Sequence, residues 1–257
     1  MSFEPINELE KVLIKASTEI DMRPEFYRIL KLSDVFIIGI GPQPNEEGII
    51  GAGQSIAIQK VEIGGKVYLA AFTSKEQLSK TLSEETQFYK MKFDDLLNLI
   101  GDTEIAINPY LEYGKILSID EVKGLRDGSL WKPKNRMVVQ KETKVMIGQP
   151  QNPPTKLLDA LRKYFEGQDS VKAAYNVHYF NPETDKKPHT LICVEAPVSE
   201  ERISSEIGMI VADIDVPDPP VDVIFINRYD GFGKSVSNSF KPFYSKRHYL
   251  FNILKKK

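Results

Sequence analysis

A charged stretch with glycine and proline, residues 127–143, interrupts the chain near its middle. Gly128 and Pro133 stand there among the charged residues Lys132, Lys134, Arg136, Lys141 and Glu142. Domain boundaries fall in exposed, polar linkers that few contacts cross. At 257 residues, the chain also exceeds the usual size of a single domain. We therefore predict two domains, residues 1–131 and residues 144–257.

The first half predicts an α+β domain whose sheet contains a β-hairpin. Apolar residues at helical spacing indicate two opening helices, the second beginning at Pro24, and the apolar run 35–38 indicates a strand. Gly64-Gly65 separates two alternating stretches, and paired glycines permit the positive φ angles of a tight hairpin turn. A helix over 91–100 and a short strand over 103–107 complete the pattern.

The second half predicts the element order βαββαβ. Strands are expected over 144–147, 171–179, 190–196 and 221–226, and helices over 154–165 and 199–210. This order is typical of the ferredoxin-like, split-βαβ pattern. The predicted fold class is therefore α+β with two domains, an N-terminal α+β domain and a C-terminal ferredoxin-like βαββαβ domain.

A polar loop between a strand and a helix, residues 108–115, is the candidate binding site. It turns on Asn-Pro and leads into a helix through the capping box of Ser118 and Glu121. Ring faces, hydroxyls, a carboxylate and an amine in so short a loop suit a protein partner or a small amino-acid-like ligand. The candidate binding residues are Asn108, Tyr110, Glu112, Tyr113 and Lys115.

A purely structural interpretation of the same loop remains open. In that interpretation Asn108 caps the turn, one tyrosine fills the core and Glu112 pairs with Lys115.

Other motifs predict no catalytic residue, no metal and no cofactor. The run 231–235, Gly-Phe-Gly-Lys-Ser, follows a predicted strand, but Arg228 stands where a phosphate loop requires glycine. His178 and His189 flank one hairpin and are interpreted as paired surface imidazoles, because a metal site needs three or four converging ligands. Cys193 lies in an apolar strand and is expected to be a small core residue.

Charge and apolar patterning constrain partners and compartment. With 34 Lys+Arg against 36 Asp+Glu, the formal charge of −2 argues against nucleic acid as a partner. The single cysteine and the absence of an N-terminal signal pattern predict a cytoplasmic protein. No apolar run approaches the roughly 20 residues of a membrane span, so no integral membrane association is expected. The aromatic and basic segment 240–257 is interpreted as a docked terminus, with a nucleic-acid or membrane contact as the alternative.

Several short blocks stand in a fixed order in both halves of the chain: Arg23-Pro24-Glu25-Phe26-Tyr27, Phe72-Thr73-Ser74, Asn108-Pro109, Glu112-Tyr113-Gly114-Lys115, Gly148-Gln149-Pro150, Pro154-Thr155, Pro188-His189 and Pro242-Phe243-Tyr244. Together these blocks resemble the bacterial enhanced-serine-sensitivity family, SseB, over about Ile6 to Tyr244. The resemblance implies that excess protein makes bacteria sensitive to serine; it supplies no reaction, cofactor or catalytic residue.

Two functional hypotheses follow from the sequence. The first is a cytoplasmic, non-catalytic binding or regulatory protein, favoured because no coherent set of catalytic residues is found. The second is an enzyme or sensor of a small amino-acid-like metabolite that uses a cleft between the domains. The sequence identifies neither the partner nor the oligomeric state.

Overall fold

The structure is a computed structural model that describes residues 3–42, 55–82, 85–132, 145–196, 201–212, 214–229 and 231–246. The chain divides into two compact units, Met1–Leu130 and Trp131–Lys257. Each unit combines helices with β-strands, so the predicted α+β class and two-domain organisation are confirmed. Most of the predicted linker, residues 133–143, lies outside the described part of the chain.

The N-terminal unit opens with two helices and continues with alternating strands and short helices. Its helices are α1 (Glu8–Thr18), α2 (Arg23–Leu32), α3 (Lys75–Ser79), α4 (Phe93–Leu99) and α5 (Ile119–Asp127). Its strands are β1 (Asp34–Ile40), β2 (Ala57–Ile58), β3 (Lys60–Ile63), β4 (Lys66–Ala71), β5 (Phe88–Lys92), β6 (Ile105–Ile107) and β7 (Lys115–Leu117).

Two sheets form in this unit and meet at one β-bridge. Their strand orders are β2-β1-β5 and β3-β4-β6-β7. At the bridge, the Phe36 N–H donates to the Phe72 carbonyl at 2.9 Å, and the Phe72 N–H donates back at 2.8 Å. This bridge therefore joins β1 to the chain just after β4. Residues from both sheets also pack in one small apolar cluster, Ile38, Ala70, Phe72 and Leu78.

The predicted hairpin is confirmed between β3 and β4. Gly64 and Gly65 have φ angles of 60° and 78°, and Ile63 pairs directly with Lys66. A side chain in this left-handed conformation would be strained, so two adjacent glycines specify this turn.

The C-terminal unit contains eight described elements. They are β8 (Met146–Gly148), α6 (Thr155–Glu166), β9 (Ala173–Phe180), β10 (His189–Glu195), α7 (Glu201–Val211), β11 (Val221–Ile226), α8 (Gly231–Ser239) and β12 (Tyr244–Ser245). Their sheet has the order β11-β10-β9-β12, and β8 also pairs with β9. The element order βαββαβ is thus present, and α8 and β12 follow it.

The ferredoxin-like arrangement predicted for this unit is wrong. A split βαβ places another strand between the two parallel strands, whereas β10 and β11 are parallel and directly hydrogen-bonded. The first strand, β8, pairs with β9 instead of entering between them. Element order alone does not determine which strands become neighbours, and β8 spans only three residues.

The terminal segment docks on this unit as far as it is described. Tyr244 is buried, and its hydroxyl donates to the Phe165 carbonyl at 2.9 Å. Lys246 contacts the Asp169 carboxylate at 2.7 Å. Residues 247–257 lie outside the described residues. Within the described residues, every helix is too short or too polar to span a lipid bilayer.

Candidate functional site

The 108–115 loop begins at the carboxyl end of a parallel strand pair. β4 and β6 are hydrogen-bonded neighbours, with Ala71 opposite Ile107. Asn108 continues the pairing, because its N–H donates to the Ala71 carbonyl at 2.8 Å. Thr73, which follows β4, donates its N–H to Asn108 Oδ1 at 2.9 Å. Loops that leave such an edge are a common location for binding sites in α/β sheets.

A buried polar network fixes this end of the loop. Thr73 Oγ1 lies 2.8 Å from Glu10 Oε1, and Asn108 Nδ2 donates to Thr73 Oγ1 at 2.9 Å. The hydroxyl has one proton, which goes to the carboxylate as the stronger acceptor. Asn7 adds a bond from its Nδ2 to the Thr73 carbonyl at 2.9 Å. Glu10, Thr73 and Asn108 are all buried, so the start of α1 and the two loops are joined inside the unit.

The loop backbone adopts conformations that non-glycine residues rarely take. Asn108 has φ 48° and Tyr110 has φ 64°. Such residues persist only where their surroundings hold them, and they cluster at functional sites. A Cβ on Gly114 would lie 2.7 Å from the Ile107 carbonyl oxygen, so glycine permits the return of the chain toward β7. The loop is therefore a tightly specified turn.

The outer part of the loop presents Tyr110 and Glu112 to solvent. Tyr110 is 67% exposed, and its hydroxyl donates to the Glu62 carbonyl of β3 at 2.6 Å. The ring is therefore held in one position while most of its surface stays accessible. Glu112 is also exposed.

Tyr113 and Lys115 contact different neighbours. The ring of Tyr113 packs edge-on against Phe3, with 5.2 Å between centroids, and Lys80 Nζ lies 5.5 Å from the centroid of Phe3. Lys115 Nζ pairs with Glu121 Oε1 at 3.0 Å, so the alternative pairing with Glu112 is wrong. Neither loop tyrosine fills the core. Of the five predicted residues, Asn108 thus lies buried at the base of the loop. The ridge above it consists of Tyr110, Glu112 and the half-buried Tyr113, and its two tyrosines contact different neighbours.

The capping box at the start of α5 is confirmed and connects to the loop. The Glu121 N–H donates to Ser118 Oγ at 3.3 Å, and the Ser118 N–H donates to Glu121 Oε2 at 2.7 Å. Burial raises the pKa of the Glu121 carboxyl, but hydrogen bonds from the Tyr27 hydroxyl and the Ser118 N–H, together with Lys115, outweigh it and hold this pKa below its usual value.

The interpretation of His178 and His189 as paired surface imidazoles is wrong. Strand register sets His178 opposite Thr190 and His189 opposite Tyr179, so the two imidazoles project from opposite faces of the sheet. His189 is 4% exposed, and its Nε2 lies 2.9 Å from Asp222 Oδ2. The carboxylates of Asp185 and Asp222 flank the His189 ring. Both residues lie outside β9 and β10, so the pattern of these two strands did not reveal them.

Cys193 and the glycine run behave as structural features. Cys193 is buried in the apolar cluster of β9 and β10, and burial raises the pKa of its thiol. The 231–235 run begins α8, and a Cβ on Gly233 would lie 2.1 Å from the Asn227 carbonyl oxygen. Close packing of α8 against the residue that follows β11 therefore explains this glycine. Among the described residues, no group of three or more His, Cys, Asp or Glu residues is arranged to hold a metal ion.

Both halves of the chain match the domain models of a known protein family. The SseB protein N-terminal domain matches residues 9–124, and the SseB protein C-terminal domain matches residues 139–246. The chain belongs to the SseB family. The resemblance predicted from the short sequence blocks is confirmed by these two matches in the expected order.

Full-length relatives support this SseB assignment. The chain is 26% identical over 246 residues to Protein SseB of Escherichia coli (strain K12), covering 95% of this chain and 94% of that protein. Protein SseB of Shigella flexneri matches with the same identity and coverage. No solved structure matches the chain.

The sequence did not indicate the buried residues that hold the 108–115 loop in place. Glu10 and Thr73 meet Asn108 only because β4 and β6 are neighbours and α1 starts beside them. The one sequence signal for this contact was that Thr73 and Asn108 each follow a short apolar strand.

Proposed function

We propose that this SseB-family chain is a non-catalytic binding or regulatory protein, and that it engages a partner protein through the exposed ridge of Tyr110, Glu112 and Tyr113. The observation that carries the proposal is the loop backbone, where the left-handed Asn108 is held by its buried bonds to Thr73 and the left-handed Tyr110 is held by its bond to the Glu62 carbonyl. A loop with a fixed backbone loses little conformational freedom on binding, so its contact surface converts efficiently into affinity.

The shape of the ridge favours a protein over a small molecule. Small ligands are usually enclosed by concave, convergent groups. Here Tyr110 is fixed on β3, whereas Tyr113 packs against Phe3. Two partly exposed tyrosines that are held by different neighbours instead resemble the aromatic anchors of protein interfaces.

The proposal places the protein in the cytoplasm and links partner binding to serine sensitivity when the protein is in excess. Overproduced protein would sequester its partner by mass action. Cys193, the single cysteine, is buried and compatible with a reducing compartment.

A ridge variant, Tyr110→Ala with Glu112→Ala, tests the proposal. Both side chains are exposed, so the variant should keep its melting temperature. Truncating a tyrosine at a desolvated contact costs about 2 kcal/mol, which weakens binding by about 30-fold. We expect a partner captured from bacterial lysate by the unmodified chain to be lost, together with serine sensitivity on overproduction.

Tyr229→Ala is the matched control, because Tyr229 is 76% exposed and lies in the other unit. It should keep both the captured partner and the phenotype. A folded ridge variant that also keeps both would show that the ridge is not the binding surface.

The alternative, an enzyme or sensor of an amino-acid-like metabolite, makes a different prediction. A small ligand selective for the native state raises the melting temperature of the unmodified chain in proportion to the logarithm of its concentration. A shift of this logarithmic form with serine or another free amino acid that survives in the ridge variant would favour this alternative.

A further inference from the structure

At the outer edge of β5, backbone N–H and C=O groups point away from the neighbouring strand β1. Residues 33, 35, 37 and 39 form the hydrogen-bonded pairs with 93, 91, 89 and 87, as shown by the bonds Phe93 N to Ser33 O (2.9 Å) and Gly39 N to Gln87 O (3.4 Å). In an antiparallel ladder, the intervening residues point their N–H and C=O groups the other way. The main-chain groups of Phe88 and Lys90 therefore face away from β1, and β5 is the last strand of its sheet in the described part of the chain.

An open groove with both polar and apolar lining lies beside the first residue of this strand. Its volume is about 820 Å³, and it is bordered by α3 and Leu82 on one side and by residues 85–88 on the other. Leu78, Leu82 and Phe88 form its apolar lining. Lys75 stands at the rim, with Nζ 5.3 Å from the centroid of the Phe88 ring. A groove beside a strand edge, lined partly by apolar side chains, can receive a side chain of an extended peptide that adds to that edge.

The charge along this edge is positive. Lys90 and Lys92 project on the same face as Phe88, because side chains alternate along a strand. Both contact the single carboxylate of Asp34, at 3.0 and 2.9 Å, and these contacts hold the Asp34 pKa below its usual value. One carboxylate cannot neutralise two ammonium groups, so a cationic surplus remains beside the free backbone groups. Among the described residues that line the groove, Glu85 is the one acidic side chain.

We propose that β5 is the docking edge for an extended acidic segment of a partner protein. The segment adds antiparallel to β5, so that the main-chain groups of Phe88 and Lys90 gain hydrogen bonds. Its acidic side chains lie opposite Lys90 and Lys92, and one apolar side chain opposite Phe88 enters the groove. Main-chain bonds supply affinity, while the groove and the lysines select the sequence.

A second copy of this chain is a poorer occupant of the same edge. Two β5 strands paired antiparallel would bring lysines together, and like charges directly opposite each other are destabilising. Exposed lysines on edge strands discourage this kind of self-pairing. The same lysines attract an acidic strand.

The probe is the peptide acetyl-Glu-Thr-Glu-Thr-Leu-Thr-amide, which places its two glutamates and its leucine on one face. In the full-length protein, its binding should slow hydrogen exchange of the Phe88 and Lys90 amides by at least about tenfold. The Tyr89 and Met91 amides, already bonded to β1, should change little. Saturable binding without protection at Phe88 and Lys90 would overturn strand addition, and absence of saturable binding would overturn the proposal.

Modified peptides separate strand addition from simple charge attraction. Methylation of the leucine nitrogen or of the second glutamate nitrogen removes a bond to β5 and should abolish binding, whereas methylation of the threonine between them should be tolerated. If both kinds of methylation had the same effect, strand addition would be refuted.

Paired protein variants test the charge argument. Lys90→Gln with Lys92→Gln should weaken binding about fivefold, whereas Lys60→Gln with Lys66→Gln, an equal charge change on the β3–β4 hairpin, should leave it unchanged. Equal effects of the two variants would contradict recognition at β5. The ridge variant Tyr110→Ala with Glu112→Ala should bind the probe normally, so the two proposals can fail separately.

The free protein supplies the last measurement. If protection of the Phe88 and Lys90 amides increased with protein concentration in the absence of peptide, the occupant would be a second copy and the assignment of an acidic partner would be wrong.

Discussion

Asn108→Ala should destabilise the N-terminal unit strongly, although the residue lies in a loop. Asn108 is 1% exposed, and its Oδ1 accepts the buried Thr73 N–H at 2.9 Å. Alanine leaves that donor unpaired, which costs about 1–3 kcal/mol. Alanine at φ 48° adds about 1 kcal/mol, because it has the same Cβ crowding as asparagine but lacks the short polar side chain that lets asparagine tolerate the left-handed region. Together these effects predict a loss of about 3 kcal/mol.

Asn108→Gly separates the two contributions. Glycine loses the bond to Thr73 but accepts the left-handed backbone, so it should cost about 1 kcal/mol less than alanine. Asn98→Ala is the control, since Asn98 is exposed on α4 and should change stability by at most about 0.5 kcal/mol.

Native-state hydrogen exchange at the amides of Leu69 and Ile105 measures this effect in the full-length chain. These amides lie in β4 and β6 and report on the N-terminal unit alone. A loss below about 1 kcal/mol for Asn108→Ala would refute the role of the buried network. Equal losses for alanine and glycine would refute the contribution from backbone conformation.

Three further outcomes are expected. Limited proteolysis should cut first between Asp127 and Pro154, as revealed by mass spectrometry, and first cleavage before Asp127 or after Pro154 would contradict the predicted joint. Because the Glu121 pKa is lowered in the folded state, its stabilisation is present above the ordinary value of 4.5 and is lost as the pH falls through the folded pKa. Urea unfolding of Glu121→Gln should therefore show a deficit of about 1 kcal/mol at pH 7 that shrinks below pH 4.5, and a deficit independent of pH would argue against this contribution. Cys193, whose burial raises its thiol pKa, should react with a thiol reagent only as the C-terminal unit unfolds; rapid labelling of native protein would contradict its core position.

Local signals in the sequence predicted local structure well. Gly64-Gly65 specified a turn, and Ser118 with Glu121 specified the start of α5, because each signal involves residues a few positions apart. Pairing between distant strands was not predictable in this way. The βαββαβ order was present, yet β8 lies beside β9 and the ferredoxin-like arrangement was wrong.

The same limit applies to the candidate site. The sequence indicated a polar loop at 108–115, and the structure places Tyr110 and Glu112 at its surface. It did not indicate the contact of Asn108 with Thr73, which depends on β4 and β6 being neighbours. Lys115 was expected to have an acidic partner in the loop, but the first turn of α5 supplies the partner, Glu121.

The parallel pairing of β4 with β6 also bears on the order in which the N-terminal unit assembles. The β3–β4 hairpin closes through two residues, whereas β6 reaches β4 only after α3, β5 and α4 have been traversed. Closing the longer loop costs more chain entropy before any contact rewards it. We expect pulse-labelled hydrogen exchange during refolding to protect the hairpin amides first, and earlier protection of β6 would contradict this order. The 108–115 loop, which emerges from β6, would then take its final form late, after the hairpin that receives Tyr110 is already in place.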